Sequence, residues 1–382
     1  MMKTRTVLFL LFLTCACKPS LDNSLWPKRI MIENNKITNV NEHNPFSSIK
    51  LITIKSEGKH YLGSFKKIIE FDKRLFIFDN KSMTGNKIFV IDFDGNVINI
   101  LDKTGKGPGE YVSLTDMDID GKTGNVFVVD QMKPAILEYD NNFNYIRSIK
   151  PSVKVPIDLI SYNEETKSFI VVKENGRLIP DFNYHMYQMD RNGTVLQKHF
   201  PYDEIFGVFL GSPMRMWPVK EAVDYLPGYS NSIFRLSNDT CFEAFNFVFE
   251  YPTLTHTDYT ATRETNLGIN NQSFIESEGF IIFRWIYQHH SYFSVYDKAQ
   301  DQVQTFNNPS NPTCNCGSTY RFVNFIDENK AIMIADNTNI SYILFQIDAD
   351  GKRVVNPEAI KDLSKSDELN EQILIIAEIC LQ

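Results

Sequence analysis

Three features of the sequence predict an all-β protein folded as a six-bladed β-propeller. Apolar residues recur at period two in short runs closed by Asp, Asn or Gly, the pattern of strands and turns, and 29 Phe and 17 Tyr among 382 residues supply large side chains for sheet packing. Strand–turn–strand units return roughly every 50 residues, a period that belongs to solenoids, propellers and arrays. Each of these units follows another, so one repeat holds four strands, the content of one antiparallel blade.

The chain opens on a charged stretch with Lys3 and Arg5, followed by an unbroken apolar run from Val7 to Leu13. That run is too short to span a bilayer and reads as the core of a signal peptide, residues 1–16. Ala16-Cys17 ends it, and a small residue directly before a cysteine resembles the lipobox of bacterial lipoproteins, in which the cysteine is acylated and becomes the mature N-terminus. Cys17 is the expected lipidation site, with Cys15, after Thr14, as the alternative. Processing at Cys17 removes Lys3 and Arg5 and takes the formal charge from −8 to −10. Such a chain is poorly suited to nucleic acid or to anionic lipid surfaces, and the acyl chains are the expected membrane contact. Residues 17–44, polar with scattered Asn, Lys and Pro, read as a tether, and 45–382 as the propeller.

Six units form the repeat. They are IFVIDFDGNVINI (from Ile88), ILEYDNNFNYIRSI (Ile136), MYQMDRNGTVLQKHF (Met186), IFRLSNDTCFEAF (Ile233), FSVYDKAQDQVQTF (Phe293) and LFQIDADGKRV (Leu344). Their turns open at Asp92, Asp140, Asp190, Ser237, Asp297 and Asp348, spaced 48, 50, 47, 60 and 51 residues apart. Inner hairpins precede five of them, at Ile68–Asp79, Met117–Asp130, Leu159–Val172, Phe274–Trp285 and Phe322–Asp336. Blade four departs from the pattern, because Val208 to Tyr225 contains Pro213 and Pro218 and no clean turn. Closure of the ring is expected from pairing of the strand near Ile49–Ile54 with the one near Ile373–Glu378.

KTGKGPGEY, Lys103 to Tyr111, has the glycine density of a phosphate cradle. A cradle needs a helix after it, whose free amides hold the anion. The residues after Tyr111 are VSLTDMDID, which alternate like a strand, so the segment reads as the crossover from blade one to blade two.

GKGPGEY, with DMDID and NVFVVD after it, resembles the six-bladed β-propeller lipoproteins of Bacteroidales, propellers of NHL/YWTD-like type, in which a Gly-x-Gly-Pro-Gly-Glu-Tyr element joins the first two blades. SSIKLITIKSEGKHYLGSFKKI, from Ser47, is similar to that family's opening strand, and KDLSKSDELNEQILIIAEICL, from Lys361, to its closing strand. The resemblance implies the fold and a cell-envelope location, most simply the outer membrane, with either face open. It implies no activity, since propellers host unrelated functions.

No nucleophile is assigned, because neither a Ser-His-Asp arrangement nor Gly-x-Ser-x-Gly is visible. The pair Cys314 and Cys316 lacks the two further ligands of a zinc site. Only Cys241, Cys380 and His289-His290 remain, and adjacent strand residues point to opposite faces. Cys380 is expected in the core of the closing strand, and a disulfide from Cys314 or Cys316 to Cys241 is compatible with export. Asp116, Asp118, Asp158 and Glu276 sit on inner strands and suit a calcium-dependent hydrolase or lyase centred on the channel; acids near strand ends are more often turn residues. The favoured reading is a binding protein without resident cofactor, taking a glycan, peptide or protein partner. Arg215, Trp217, Arg284 and Trp285 are its candidate contacts, because Trp and Arg combine apolar faces with fixed donors.

Overall fold

The computed structural model describes residues 27–33, 36–40, 43, 45–54, 62–63, 65–79, 86–153, 157–173, 184–201, 215–228, 230–237, 240–253, 270–288, 290–308, 321–335, 346–347, 353–354 and 373–381. The N-terminal part supplies β1 (Lys28–Ile32), β2 (Ile37–Thr38) and β3 (Phe46–Thr53). Blade one is β4 (Phe65–Phe71), β5 (Arg74–Asp79), β6 (Lys87–Ile91) and β7 (Val97–Leu101). Blade two is β8 (Leu114–Ile119), β9 (Val126–Asp130), β10 (Ala135–Tyr139) and β11 (Tyr145–Ile149), and blade three is β12 (Leu159–Asn163), β13 (Ser168–Val172), β14 (Tyr184–Asp190) and β15 (Val195–Pro201). Blade four is β16 (Met216–Val219), β17 (Ala222–Tyr225), β18 (Ser232–Ser237) and β19 (Thr240–Phe249). Blade five is β20 (Asn270–Glu276), β21 (Phe280–Tyr287), β22 (His290–Asp297) and β23 (Gln302–Asn307). Blade six begins with β24 (Arg321–Phe325) and β25 (Lys330–Ala335). A separate hairpin, β26 (Gln346–Ile347) with β27 (Arg353–Val354), comes before the final strand β28 (Ile373–Ile379).

The ring closes as the sequence predicts. β28 pairs antiparallel with β3, from Ile373 opposite Thr53 to Ala377 opposite Ile49, so blade six runs β24-β25-β28-β3. The sixth repeat is corrected in one respect: its second hairpin at Leu344 does not supply the outer strands of the blade. Among the described residues β26 and β27 pair with each other, and the outer half of blade six is built from the two ends of the propeller. The hairpin's turn, 51 residues after the fifth, keeps the period of the sequence, while β28 and β3 take the outer positions of the sheet.

Within the expected tether of residues 17–44, the described residues include two short strands that join the propeller. β1 adds to the outer edge of blade four, parallel to β19, and β2 to the outer edge of blade five, parallel to β23. Ile30 and Ile32 are 2% and 1% exposed while their neighbours face outward, the alternation of a half-buried strand. KRIMI shows only five alternating residues between polar neighbours, too few to stand out from a linker. An outermost strand leaves a row of unpaired backbone groups, and this segment covers two such edges before β3 covers the edge of β28 in the third.

Blade four has a tight inner hairpin after all. Lys220 and Glu221 turn β16 into β17, with Lys220 at φ 52°. Pro218 fits because β16 is the channel-edge strand with one neighbour, where a missing amide costs no ladder bond. Pro213 lies outside the described residues.

The repeated aspartates have a common role. Asp92 accepts from the amides of Asp94 and Asn96, both at 2.9 Å. Asp140 accepts from Asn142 at 2.9 Å and Asn144 at 2.8 Å, and Asp190 from Asn192 and Thr194, both at 2.8 Å. Each of these outer turns is thus closed on its own carboxylate. Position 95, at φ 81°, requires glycine because a Cβ there would lie 2.0 Å from the Thr53 carbonyl oxygen of the neighbouring blade. Between blades the sheets meet on aromatic layers: Phe76 with Phe143, Phe127 with Tyr162, Phe247 stacked on Phe283 at 3.9 Å, and Phe293 with Phe322.

Candidate functional site

Six innermost strands, β4, β8, β12, β16, β20 and β24, surround the axis, and each leaves one edge unpaired in its own sheet. Those edge groups need partners, and across every junction a side chain bonds backbone of the next innermost strand or of its turn. Lys66 Nζ donates to the Thr115 carbonyl at 2.6 Å, and Asp116 and Asp118 accept from the amides of Ile160 at 2.9 Å and Tyr162 at 2.6 Å. Asn163 Nδ2 donates to the Glu221 carbonyl at 2.8 Å, and Trp217 Nε1 to that of Phe274 at 2.6 Å. Ser277 Oγ donates to the Glu328 carbonyl at 2.6 Å, and Asn324 Nδ2 to that of Ile68 at 2.9 Å. The ring of blades is stitched all the way round.

Within this ring Lys67 is 2% exposed and its ammonium lies 3.3 Å from Asp116 Oδ2 and 3.2 Å from the Ile160 carbonyl. One cation from blade one therefore reaches blades two and three. Burial raises Asp118 above the usual carboxylate range, against the pull of Lys67 and the Tyr162 amide. Of the inner acids, Asp116, Asp118 and Glu276 are buried, whereas Asp158 is only partly so. Their role as turn residues is thus corrected for three of the four: edge amides and cations hold them.

At the end carrying the inner hairpin turns, the channel widens into a cavity of about 510 Å³. Blade one contributes Lys67, Ile69 and Glu70, blade two Asp118, blade four Trp217 to Lys220, blade five Glu276 to Glu278, and blade six Asn324 to Glu328. Its walls carry six carboxylates, Glu70, Asp118, Glu276, Glu278, Asp327 and Glu328, against Lys67 and Lys220. Lys220 and Glu278 form an exposed pair at 3.2 Å, and Lys330 reaches Asp327 at 3.0 Å, contacts that screening makes weak. The floor is firmer. Arg235 makes two bonds of 2.7 Å to Asp224 and one of 3.2 Å to Glu276, which also holds Lys298, so blades four and five share one network of two buried carboxylates and two half-buried cations. Burial, with Asp224 alongside, raises Glu276 well above its ordinary range against the pull of Lys298 and Arg235.

The four expected contact residues are distributed unevenly. Trp217, on β16, borders the mouth but is 3% exposed, its indole committed to Phe274. Arg215, just before β16, is fully buried and donates to the Leu226 carbonyl at 3.3 Å. Arg284 and Trp285 lie on β21, the second strand, and Trp285 is 1% exposed, bonded to Ser294 Oγ at 3.0 Å and stacked on Tyr292. Burial, with the charge of Arg321 nearby, lowers Arg284 to about 10. Packing between sheets accounts for most of this aromatic and guanidinium surface. The exposed mouth residues Glu278, Asp327 and Glu328 lie in short turns that carry no motif, and sequence reasoning does not single them out.

Cys314, Cys316 and His289 lie outside the described residues. Cys241 is a free, partly buried thiol that burial raises to about 11. Cys380 is also free and, contrary to expectation, exposed, because β28 ends one residue earlier. Among the described residues no group of three or more His, Cys, Asp or Glu is placed to hold a metal ion, and no helix is long and apolar enough to cross a membrane.

KTGKGPGEY is a crossover, and its anion is internal. Gly107 N donates to Glu110 Oε2 at 2.7 Å, so the chain's own carboxylate turns into the glycine-rich loop. Tyr111, 1% exposed, donates to the Asn86 and Leu101 carbonyls of blade one, while the Tyr139 hydroxyl of blade two donates to the Gly109 carbonyl at 3.0 Å. The loop clamps the two blades together.

The profile of a family described as a six-bladed beta-propeller, DUF5128, matches residues 23–334. The chain belongs to this family. Comparison with curated proteins gives no match. Among solved structures, this DUF5128 chain is similar to a Bacteroides fragilis NCTC 9343 protein named as exported, with TM-score 0.73 and 16% identity over 93% of this chain and 100% of that one. It is also similar to a DUF4221 member from Bacteroides vulgatus ATCC 8482, with TM-score 0.57 and 8% identity over 87% and 97% of the two chains. At such identities the likeness is one of fold.

Proposed function

We propose that this DUF5128 propeller is a lipid-anchored binding protein of the cell envelope, held at the outer membrane through Cys17, that receives a glycan, peptide or protein partner at its channel mouth. The observation that carries the reading is the convergence of side chains from five blades on one open cavity of about 510 Å³, within the usual size range of ligand pockets. The carboxylate excess suits a partner that presents cationic or hydroxyl groups. Export is supported by the apolar N-terminal run with its lipobox-like cysteine and is compatible with the B. fragilis neighbour's name. The calcium-dependent alternative is disfavoured by a positive feature: the Lys67 ammonium already sits on Asp116, beside Asp118, where a channel cation would need those oxygens.

β1 adds an orientation. It runs parallel to β19, which starts from the end where the mouth opens, so the chain reaches blade four from that end. Residues 18–27 span at most about 36 Å, so under this reading the acylated cysteine lies within that reach of the mouth end. Two measurements test the reading together. Cys17→Ala should abolish palmitate labelling and release the protein from the membrane fraction. The triple exchange Glu278→Lys, Asp327→Lys, Glu328→Lys should keep the melting temperature within a few degrees and remove the partner that co-purifies with the native protein. Retained labelling, or a partner retained by the triple variant, refutes the corresponding half.

A further inference from the structure

The crossover end of blade two holds a second cavity, of about 640 Å³, which the channel-mouth reading does not use. Three segments build it: residues 106–110 of the glycine-rich crossover, Lys133 to Leu137 at the turn into β10, and the stretch from Tyr145 to Val153 along and beyond β11. Its walls are apolar and stiff, with Pro108, Pro134 and Pro151 fixing backbone on three sides and Leu137 buried beneath. Tyr145 is 37% exposed and offers a ring at the edge. Gly109, at φ 70°, brings the crossover backbone against that ring: a Cβ there would lie 2.7 Å from Tyr145 Cβ, so the wall depends on glycine.

The charge of this cavity is one-sided. Lys106, Lys133 and Lys150 line it, and the one acid among the lining residues, Glu110, turns its carboxylate into the loop to cap Gly107 N at 2.7 Å. Lys133 donates one bond to the Glu110 carbonyl at 2.9 Å and has two further N–H donors. Lys106 and Lys150 are exposed and form no ion pair among the described residues. An overall acidic protein thus keeps a cationic, proline-walled pocket on the end opposite its acidic mouth.

We propose that this pocket is a second binding site, for a small amphipathic anion: a carboxylate or sulfonate carried on an apolar ring. The ring would pack between the prolines and Tyr145 while the lysines hold the anion, the combination of apolar enclosure and few placed polar groups common to small-molecule sites. The proposal does not rest on the function assigned to the mouth.

The probe is 8-anilinonaphthalene-1-sulfonate, titrated by fluorescence into the folded mature chain at low salt, with 2-naphthoate and uncharged 2-naphthalenemethanol as competitors. Saturable one-site binding is expected, displaced by naphthoate at least ten times more effectively than by the alcohol. Lys106→Glu with Lys150→Glu should weaken it tenfold or more, Lys106→Arg with Lys150→Arg should restore it to within threefold, and Lys220→Glu at the mouth should leave it unchanged. Circular dichroism melting confirms that each variant is folded. Equal displacement by the alcohol, affinity unaffected by the Glu pair, or loss with Lys220→Glu would each overturn the proposal.

Discussion

At the scale of single residues the repeat is a chemistry of turns. Burial is the largest single influence on Asp140 and Asp190 and pushes both carboxyls up, but the several hydrogen bonds each accepts from its own turn together outweigh it and hold both below the usual range. The unfolded value is about 3.9, so their contribution is complete above that pH and is lost as pH falls through the lower folded values. Replacing both by Ala should cost about 1 kcal/mol per site at pH 7, the worth of exposed, charge-assisted turn bonds. Thermal melts from pH 7 to pH 2.5 should show the gap between wild type and variant closing at the acid end; a gap independent of pH contradicts this account of the turns. These aspartates are legible because an Asp-x-Asn or Asp-x-x-Gly turn writes its hydrogen bonds into adjacent positions. Asp116 and Glu276 are not, since an acid bonded to another blade has partners 44 and 41 residues away, Ile160 and Arg235, and leaves no local pattern. Trp217 and Trp285 show the converse: residues rich in recognition chemistry are spent here on packing, and the bare sequence does not distinguish the two uses.

At the scale of elements, strands inside hairpins are readable and strands that pair with distant segments are readable only when long. β28 is a seven-residue strand buried almost throughout and β3 runs for eight residues, long enough to be read as a closing pair across the whole chain. β1 and β2, at five and two residues, take their identity from the edges they cover. Blade four teaches the same lesson in reverse, since Pro218 suggests a broken strand until the strand is placed at the channel edge. The covering role of β1 has a measurable consequence. Ile30→Ala and Ile32→Ala should each destabilise by about 2–4 kcal/mol, as for other buried isoleucines, and together they should release β1 from blade four. Hydrogen exchange of the β19 amides should then rise ahead of those in β17, and the opened edge should promote self-association. Unchanged protection over Thr240–Phe249 would show that β19 does not depend on its parallel neighbour.

For the whole molecule, the N-terminal segment crosses the outer edges of blades four and five and completes blade six before the chain enters blade one. The terminal elements are therefore structural closures on the outside, while side-chain bonds close the ring around the axis. This division leaves the two ends of the channel axis with different duties. One end carries the acidic mouth and receives the chain from its proposed anchor; the other carries the crossovers, including the clamp at Tyr111. The central claim, that the partner is received at the mouth, is tested most directly by site-specific photocrosslinking in intact cells. A benzophenone amino acid replaces Glu278 at the mouth or, in separate strains, Asp94 in an outer turn of blade one and Lys106 at the crossover end. The account predicts one discrete adduct from position 278 and none of that species from 94 or 106. The same adduct arising from 94 or 106 but not from 278 would contradict it.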